Sequence, residues 1–169
     1  MKLITTLNPE NVRGEEINNF RERTTVRAVV YDLDGNIGVL NVKKQNYYKL
    51  PGGGKEEGES DHEALKRECL EELGCDVEIL GEVGKIIEYR KIFNMKQTAI
   101  CYLAKVIGEK RRPSFTKDEI ENEFEIEWIP AEKAISVLDL AKPLNAEGKL
   151  YIVPREVFFL KEVFENKNY

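Results

Sequence analysis

The sequence predicts an α/β protein of the α+β type, in which helices cover a mixed β-sheet. Three observations support this class. Residues 25–31 and 37–42 are rich in β-branched side chains, and the Asp34-Gly35 pair between them is typical of a hairpin turn. A helical pattern follows at residues 61–73. Further strands then precede two helices, an order that indicates a sheet with helices packed against it.

The remaining elements follow from local patterns. Strands are expected at residues 47–50, 77–80, 85–89, 98–106 and 124–129. Residues 108–117 are polar and basic, and they predict a loop. The last two helices begin at Pro130 and Pro154, because proline is favoured in the first turn of a helix.

Length and charge limit the range of functions. The chain has 169 residues, which predicts one domain over residues 1–169, with 1–24 as an N-terminal extension. The net charge of -5 argues against general nucleic-acid binding, which depends on basic surfaces. No segment approaches the roughly 18 apolar residues of a membrane span. The three cysteines form no CxxC pair, so we expect reduced thiols and a cytoplasmic protein.

The predicted helix at residues 61–73 has clear ends. Ser60 and Glu63 form an S-x-x-E capping box, and Gly74 is placed to end the helix in a left-handed conformation. Its apolar stripe comprises Leu65, Cys69 and Leu73. This stripe predicts that one side of the helix packs on a core.

A second face of the same helix is acidic. Glu68, Glu71 and Glu72 are spaced i, i+3 and i+4, which places three carboxylates within about 6 Å of one another. A close pair of carboxylates costs about 4 kcal/mol at an effective dielectric of about 20. A bound Mg²⁺ or Mn²⁺ removes this repulsion, and Mg²⁺ is usually bound together with substrate phosphates. The spacing alone also fits a solvated glutamate face.

The surrounding residues favour the metal site. The segment 53–75, GGKEEGESDHEALKRECLEELGC, resembles the Nudix box, G-x5-E-x7-R-E-U-x-E-E-x-G-U, where U is a bulky apolar residue. The positions that match in register are Gly53, Glu59, Arg67, Glu68, Glu71, Glu72 and Gly74. Cys69 and Cys75 occupy the two U positions, and cysteine packs as a small hydrophobic residue.

The resemblance implies a fold, a reaction and a set of ligands. Nudix hydrolases have an α/β/α sandwich with a mixed sheet. They cleave nucleoside diphosphates linked to another group, with Mg²⁺ or Mn²⁺ as the metal. By position, Glu68, Glu71 and Glu72 are the candidate metal ligands, and the carbonyl of Gly52 is a further candidate. Arg67 and Glu59 are expected to pair and to orient the acidic cluster.

The general base is left open by the resemblance. A carboxylate takes a proton from the attacking water, and its identity varies across the family. The candidates are Glu68 in the box and Glu119 and Glu123 in the acidic segment 118–123. That segment also fits a solvated acidic connection.

Substrate contacts are predicted less sharply. Tyr47 and Tyr48 precede the box and are candidates to stack on a base, although packing in the core or hairpin explains them too. Arg27 and Arg90 are candidates to bind phosphates, with surface solvation as the alternative.

Several substrates fit the box. A nucleoside triphosphate, oxidised or not, is the first candidate for a small nucleotide substrate, and a nucleotide sugar or ADP-ribose is the second. A non-catalytic nucleotide sensor and an RNA 5′-end pyrophosphohydrolase are alternatives. A homodimer is compatible with the sequence, which contains no feature that establishes one.

Overall fold

A computed structural model describes residues 1–165, which form one mixed sheet of seven strands with helices on both of its faces. The strands are β1 (Leu3–Leu7), β2 (Arg21–Tyr31), β3 (Asn36–Val42), β4 (Tyr47–Lys49), β5 (Asp76–Arg90), β6 (Met95–Ile107) and β7 (Phe124–Pro130). The helices are α1 (Gly14–Ile17), α2 (Asp61–Leu73), α3 (Lys117–Glu121), α4 (Ala131–Asp139) and α5 (Val153–Glu165). Residues 166–169 of the predicted domain lie outside the described part.

The sheet is mixed, as the sequence predicted. The strand order is β1-β5-β6-β2-β3-β4, and β7 pairs with β3. The β1–β5 and β2–β6 pairs are parallel, and the other pairs are antiparallel.

The two faces of the sheet carry separate hydrophobic cores, because side chains alternate along a strand. On one face, Val26, Ala28 and Val30 of β2 pack with the apolar stripe of α2. On the opposite face, Val29 packs in a core that includes apolar residues of α4 and α5. This layered arrangement confirms the predicted α/β/α sandwich.

A glycine-rich segment fills the space beside β2. One edge of β2 pairs with β6 along the whole strand. The other edge pairs with β3 only at Tyr31 and Ile37 among the described residues, so most of that edge is free to bond elsewhere. The Val26 N–H donates to the Gly53 carbonyl at 2.9 Å, and the Ala28 N–H donates to the Pro51 carbonyl at 3.0 Å. The segment 51–54 therefore lies against β2 and leads directly towards α2.

Only glycine fits at position 52 of this segment. Gly52 has φ +133°, and a Cβ there would lie 2.1 Å from the Val26 carbonyl oxygen. The backbone of the segment thus packs against β2 more closely than any side chain allows.

The structure adds elements that local patterns did not indicate. The predicted N-terminal extension contains β1, which pairs with β5. β2 begins at Arg21, four residues before the start of the predicted strand. The two strands expected at 77–80 and 85–89 are one strand, β5, whose register shifts near Gly81 and Gly84. A π-helical turn, Gly148–Ile152, leads into α5. Within residues 1–165, no helix has the length and apolar character needed to cross a membrane.

Candidate active site

Helix α2 forms as its sequence predicts, and its ends fix the orientation of its acidic face. The Glu63 N–H donates to Ser60 Oγ at 3.2 Å, and Glu63 Oε2 accepts from the Ser60 N–H at 2.8 Å. Gly74 ends the helix at φ +66°. The stripe of Leu65, Cys69 and Leu73 is buried in the core. This packing turns the carboxylates of the helix towards the segment 51–54.

The three predicted carboxylates line one cavity of about 560 Å³, together with Gly52 and Gly53. The cavity lies beside β2, where the glycine-rich segment packs. The structure therefore brings the helix carboxylates and the glycine backbone to one place.

Glu72 is the most buried of these carboxylates. Its Oε1 accepts from Lys49 Nζ at 2.8 Å, and its Oε2 accepts from the Gly52 N–H at 2.6 Å. Burial raises the pKa of Glu72 to about 7, although the Lys49 ammonium and the Gly52 N–H act in the opposite direction. A positive charge beside this carboxylate therefore favours its ionised form.

Arg67 holds the rest of the acidic face in place. Its guanidinium donates to both oxygens of Glu59, at 2.7 and 3.0 Å, to Glu68 at 2.9 Å and to Glu71 at 3.1 Å. It also donates to the Gly54 carbonyl at 3.0 Å. Hydrogen bonding from Arg67 lowers the pKa of Glu59 to about 2. The guanidinium thus connects the loop before α2 to the acidic face of the helix.

Gly53 lets the Glu68 carboxylate approach the backbone. A Cβ at position 53 would lie 2.4 Å from Glu68 Oε1, well inside van der Waals contact. The position needs glycine for this close approach, since the φ of Gly53 lies outside the left-handed region.

The donor atoms fit a hard divalent cation. Among residues 1–165, no three acidic, histidine or cysteine side chains converge into a ready-made metal cage. Arg67 draws Glu68 and Glu71 to itself, and Lys49 occupies one oxygen of Glu72. A complete cage is not required, because Mg²⁺ is commonly bound by one or two carboxylates and completed by substrate phosphates. Glu68, Glu71 and Glu72 are the residues that would hold such an ion.

The acidic segment after β6 reaches the cavity with only part of its length. Asp118 and Glu119 line the cavity. Glu119 Oε2 also accepts from the N–H of Thr116, the N-cap residue of α3, at 2.7 Å as part of a capping box. Glu123 is exposed beside Lys44 at 3.9 Å, and it is not among the cavity-lining residues. The roles of Glu119 and Glu123 as general base stay predictions.

The two tyrosines before the box lie in different places. Tyr47 lines the cavity but is buried, and burial raises the pKa of its hydroxyl to about 12. The Tyr48 hydroxyl donates to Glu127 at 3.4 Å, and Tyr48 is not among the cavity-lining residues. Of the two, only Tyr47 is placed to contact a ligand.

Arginines from β2, β5 and α5 form the basic end of the cavity. Arg27 and Arg90 line it as predicted candidates, together with Arg23 and Arg155. Arg90 donates to Glu88 and to Glu147, each at 2.6 Å. Sequence patterns did not single out Arg23 or Arg155 for the site. Arg155 lies in a helix where a charged pair with Glu156 looks like solvated surface, and only the fold places it in the interior.

The chain from residue 21 to residue 154 matches the family model described as the NUDIX domain. Because this match spans most of the sequence, the protein belongs to the Nudix hydrolase family, which confirms the resemblance of the box.

Named relatives share part of the chain. A protein of Sulfurovum sp. named "RNA pyrophosphohydrolase" is 52% identical over 46 residues, which are 27% of this chain and 29% of the relative. A protein of Mycobacterium tuberculosis named "Putative 8-oxo-dGTP diphosphatase 2" is 31% identical over 108 residues, 60% of this chain and 73% of the relative. A second protein named "RNA pyrophosphohydrolase", from Wolbachia pipientis, is 31% identical over 94 residues, 53% of this chain and 56% of the relative. The matches to the two RNA pyrophosphohydrolases thus span only 29% and 56% of those proteins.

Solved structures have the same fold. A MutT protein from Methanosarcina mazei superposes with a TM-score of 0.59 at 21% identity, covering 88% of this chain and 97% of the other. A NUDIX hydrolase from Nitrosomonas europaea gives a TM-score of 0.64 at 16% identity, covering 88% and 93%. At these identities the likeness establishes the shared architecture.

Proposed function

We propose that the protein hydrolyses a diphosphate linkage in a small nucleotide, with Mg²⁺ or Mn²⁺ bound by Glu68, Glu71 and Glu72. The observation that carries this proposal is the single cavity in which these three carboxylates meet the backbone of Gly52 and Gly53. When bound, the ion supplies neutralisation of the diphosphate charge and electrophilic activation of phosphorus. The carbonyl of Gly52 is a further candidate ligand.

The chain's own residues position the reactants. Arg67 holds Glu68 and Glu71 on the cavity wall and ties both to Glu59, so the donor atoms are oriented before substrate binds. A carboxylate on the wall accepts a proton from the attacking water, and the bond between phosphorus and the leaving oxygen breaks. Glu68 and Glu119 line the cavity and are the better placed candidates for this base; Glu123 lies farther away.

The first substrate candidate is a nucleoside triphosphate, oxidised or not, which would give a nucleoside monophosphate and pyrophosphate. The name of the Mycobacterium tuberculosis relative, an 8-oxo-dGTP diphosphatase, supports this class. A nucleotide sugar or ADP-ribose has the same scissile linkage and stays the second candidate. A non-catalytic sensor is less well supported, because every acidic position of the box is intact.

RNA 5′-end hydrolysis is an alternative function, favoured by the relatives named RNA pyrophosphohydrolase. The basic stretch from Lys110 to Pro113, KRRP, is its local support. Activity on triphosphorylated RNA that exceeds activity on free nucleotides would favour this function over the first.

We further propose that the protein acts in the cytoplasm, which its three buried free cysteines support, since reducing compartments keep thiols unpaired. A homodimer stays a prediction, and size-exclusion chromatography with light scattering tests it.

The test of the hydrolase proposal is a substrate panel with product identification. Purified protein is incubated with nucleoside triphosphates, nucleotide sugars and ADP-ribose in Mg²⁺, in Mn²⁺ and in excess EDTA. We expect phosphate or pyrophosphate release with either metal and none in EDTA. Binding without hydrolysis across the whole panel would instead support the sensor.

A further inference from the structure

The basic end of the cavity is built on one face of β2. Arg23, Thr25 and Arg27 are spaced by two residues, so their side chains point to the same side of the strand. All three line the cavity. Arg23 lies beside the glycine-rich segment, because a Cβ on Gly54 would be 3.2 Å from its Nη2. This face of β2 therefore runs along the cavity from the glycine-rich segment into the protein interior.

A series of buried ion pairs connects Arg27 of this face to α5 and β5. Glu156 Oε1 lies 3.4 Å from Arg27 Nε and 2.5 Å from Arg155 Nη2. Glu88 lies between Arg155, at 3.2 Å, and Arg90, at 2.6 Å. These five side chains are each at least nine-tenths buried. The buried arginines are thus held in fixed positions by α5 and β5.

Several buried polar atoms at this end of the cavity lack hydrogen bonds, although Arg27 Nε has an ion-pair contact with Glu156. Thr25 is 1% exposed, and its hydroxyl has no hydrogen bond among the described residues. The Nε atoms of Arg27 and Arg155 lack hydrogen bonds in the same part of the chain. Arg27 donates from Nη1 to the Val26 carbonyl at 2.7 Å, although a guanidinium has five N–H donors. Buried donors without acceptors are costly, so these groups indicate a ligand that supplies acceptor oxygens.

Four guanidinium groups, those of Arg23, Arg27, Arg90 and Arg155, line the cavity and are potential hydrogen-bond donors to an anion. Glu147 also lines it, as do six further carboxylates, which include the three proposed metal ligands: Glu56, Glu68, Glu71, Glu72, Asp118 and Glu119. The buried carboxylates of Glu88 and Glu156 pair with these arginines, although Glu156 Oε2 has no hydrogen bond among the described residues.

An aromatic surface for stacking a base is poorly developed here. Tyr47 is only 7% exposed. The ring of Phe124 is covered on one face by Lys49, whose Nζ lies 4.9 Å from the ring centroid. The lining is thus better suited to oxygen acceptors than to a flat base.

We propose that Arg23, Thr25 and Arg27 form a phosphate subsite, which binds a substrate phosphate other than those held at the metal carboxylates. The proposal rests on the proposed hydrolase function and favours a 5′-triphosphate over a nucleotide sugar or ADP-ribose as the substrate. A triphosphate places a third charged phosphate beyond the scissile linkage, whereas a nucleotide sugar or ADP-ribose places an uncharged sugar there.

The first test measures binding without catalysis. Inorganic tripolyphosphate is titrated into the full chain in excess EDTA by calorimetry. Because this readout needs no metal and no hydrolysis, its failure is separate from failure of the hydrolase proposal. We expect Thr25→Val and Arg23→Gln each to weaken binding several-fold, and Arg27→Gln to weaken it at least tenfold. Arg27→Lys should restore part of the affinity.

Thr25→Val and Arg23→Gln are chosen so that a loss of tripolyphosphate binding does not result from misfolding. Thr25→Val removes a hydroxyl that has no partner, and Arg23 is exposed, so both variants should fold normally. Arg21→Gln is the matched control, because Arg21 is exposed on the same strand and is not among the cavity-lining residues. Equal affinity in wild type, Thr25→Val, Arg23→Gln and Arg21→Gln would overturn the subsite.

The second test compares substrates in the presence of metal. Arg23→Gln and Thr25→Val should raise KM for nucleoside triphosphates several-fold with a smaller change in kcat. KM for a nucleotide sugar should stay unchanged in the same variants. Parallel changes for both substrate classes, or wild-type preference for the nucleotide sugar, would contradict the proposal.

Discussion

At the scale of the residue, Glu72 connects the helix carboxylates to the glycine-rich segment. It is buried with one oxygen facing Lys49 and the other facing the Gly52 N–H. We predict that Glu72→Gln lowers kcat by more than about 100-fold, since an amide brings neither the charge nor the donor strength that a hard cation needs. The measurement is kcat at saturating Mg²⁺, with circular dichroism to show that the fold is retained.

The control for this substitution is Glu57→Gln, which alters an exposed glutamate of the loop before α2. That variant should retain the wild-type rate. A near-normal rate for Glu72→Gln would remove Glu72 from the proposed ligand set.

Gly53 gives a second prediction at the same scale. The methyl group of Gly53→Ala would lie 2.4 Å from Glu68 Oε1, so the carboxylate must move. Since a displacement of about 1 Å can cost roughly 100-fold in rate, we expect kcat/KM to fall by that order while the melting temperature changes little. Gly14→Ala is the control, because no atom lies within 4 Å of a Cβ built there. Equal rates in the two variants would mean that Glu68 need not occupy its observed position.

At the scale of the element, α2 depends on its capping box for a defined start. Ser60 and Glu63 satisfy each other's backbone N–H groups. Ser60→Ala should lower the free energy of unfolding by about 1 kcal/mol, because it leaves an N-terminal N–H without an acceptor. Urea denaturation measures this loss. Ser136→Ala in α4 is the control, since the Ser136 hydroxyl is exposed and donates to a carbonyl of its own helix. If Ser136→Ala lowers the free energy of unfolding as much as Ser60→Ala does, the loss is not due to the cap.

The same element shows what the sequence can predict. The cap, the apolar stripe and the end of α2 all depend on residues within one short segment, so the predicted bounds of 61–73 are those observed. β1 and the basic end of the cavity depend on contacts between distant parts of the chain. Arg155 contacts Glu88 across 67 positions, and no local spacing distinguishes such a pair from surface charges. The grouping of the helix carboxylates was therefore predictable. Of the four cavity arginines, Arg27 and Arg90 were candidates from the sequence, and Arg23 and Arg155 were not.

At the scale of the whole molecule, the buried ion chain joins α5 to the middle of the sheet. Glu88 accepts from Arg90 at 2.6 Å, from Arg155 at 3.2 Å and from Gln97 at 2.8 Å, and it is fully buried. Removing the charge of one partner leaves the others uncompensated in a low-dielectric interior. The chain therefore couples the stability of the α5 layer to the placement of the cavity arginines.

We predict that Glu88→Gln lowers the free energy of unfolding by about 3–5 kcal/mol, since both neighbouring guanidinium groups lose their shared carboxylate. Chemical denaturation measures this change. Glu78→Gln on the same strand is the matched control. Glu78 is exposed and, among residues 1–165, forms an ion pair only with Lys105 at 2.9 Å, so its loss should stay within about 1 kcal/mol. If the two variants unfold at the same urea concentration, the buried ion pairs add no stability.

Binding of tripolyphosphate is then measured at low temperature, where Glu88→Gln is still folded. If this variant unfolds at a lower urea concentration than Glu78→Gln and also binds tripolyphosphate more weakly, the buried ion pairs position the arginines as well as holding α5 to the sheet.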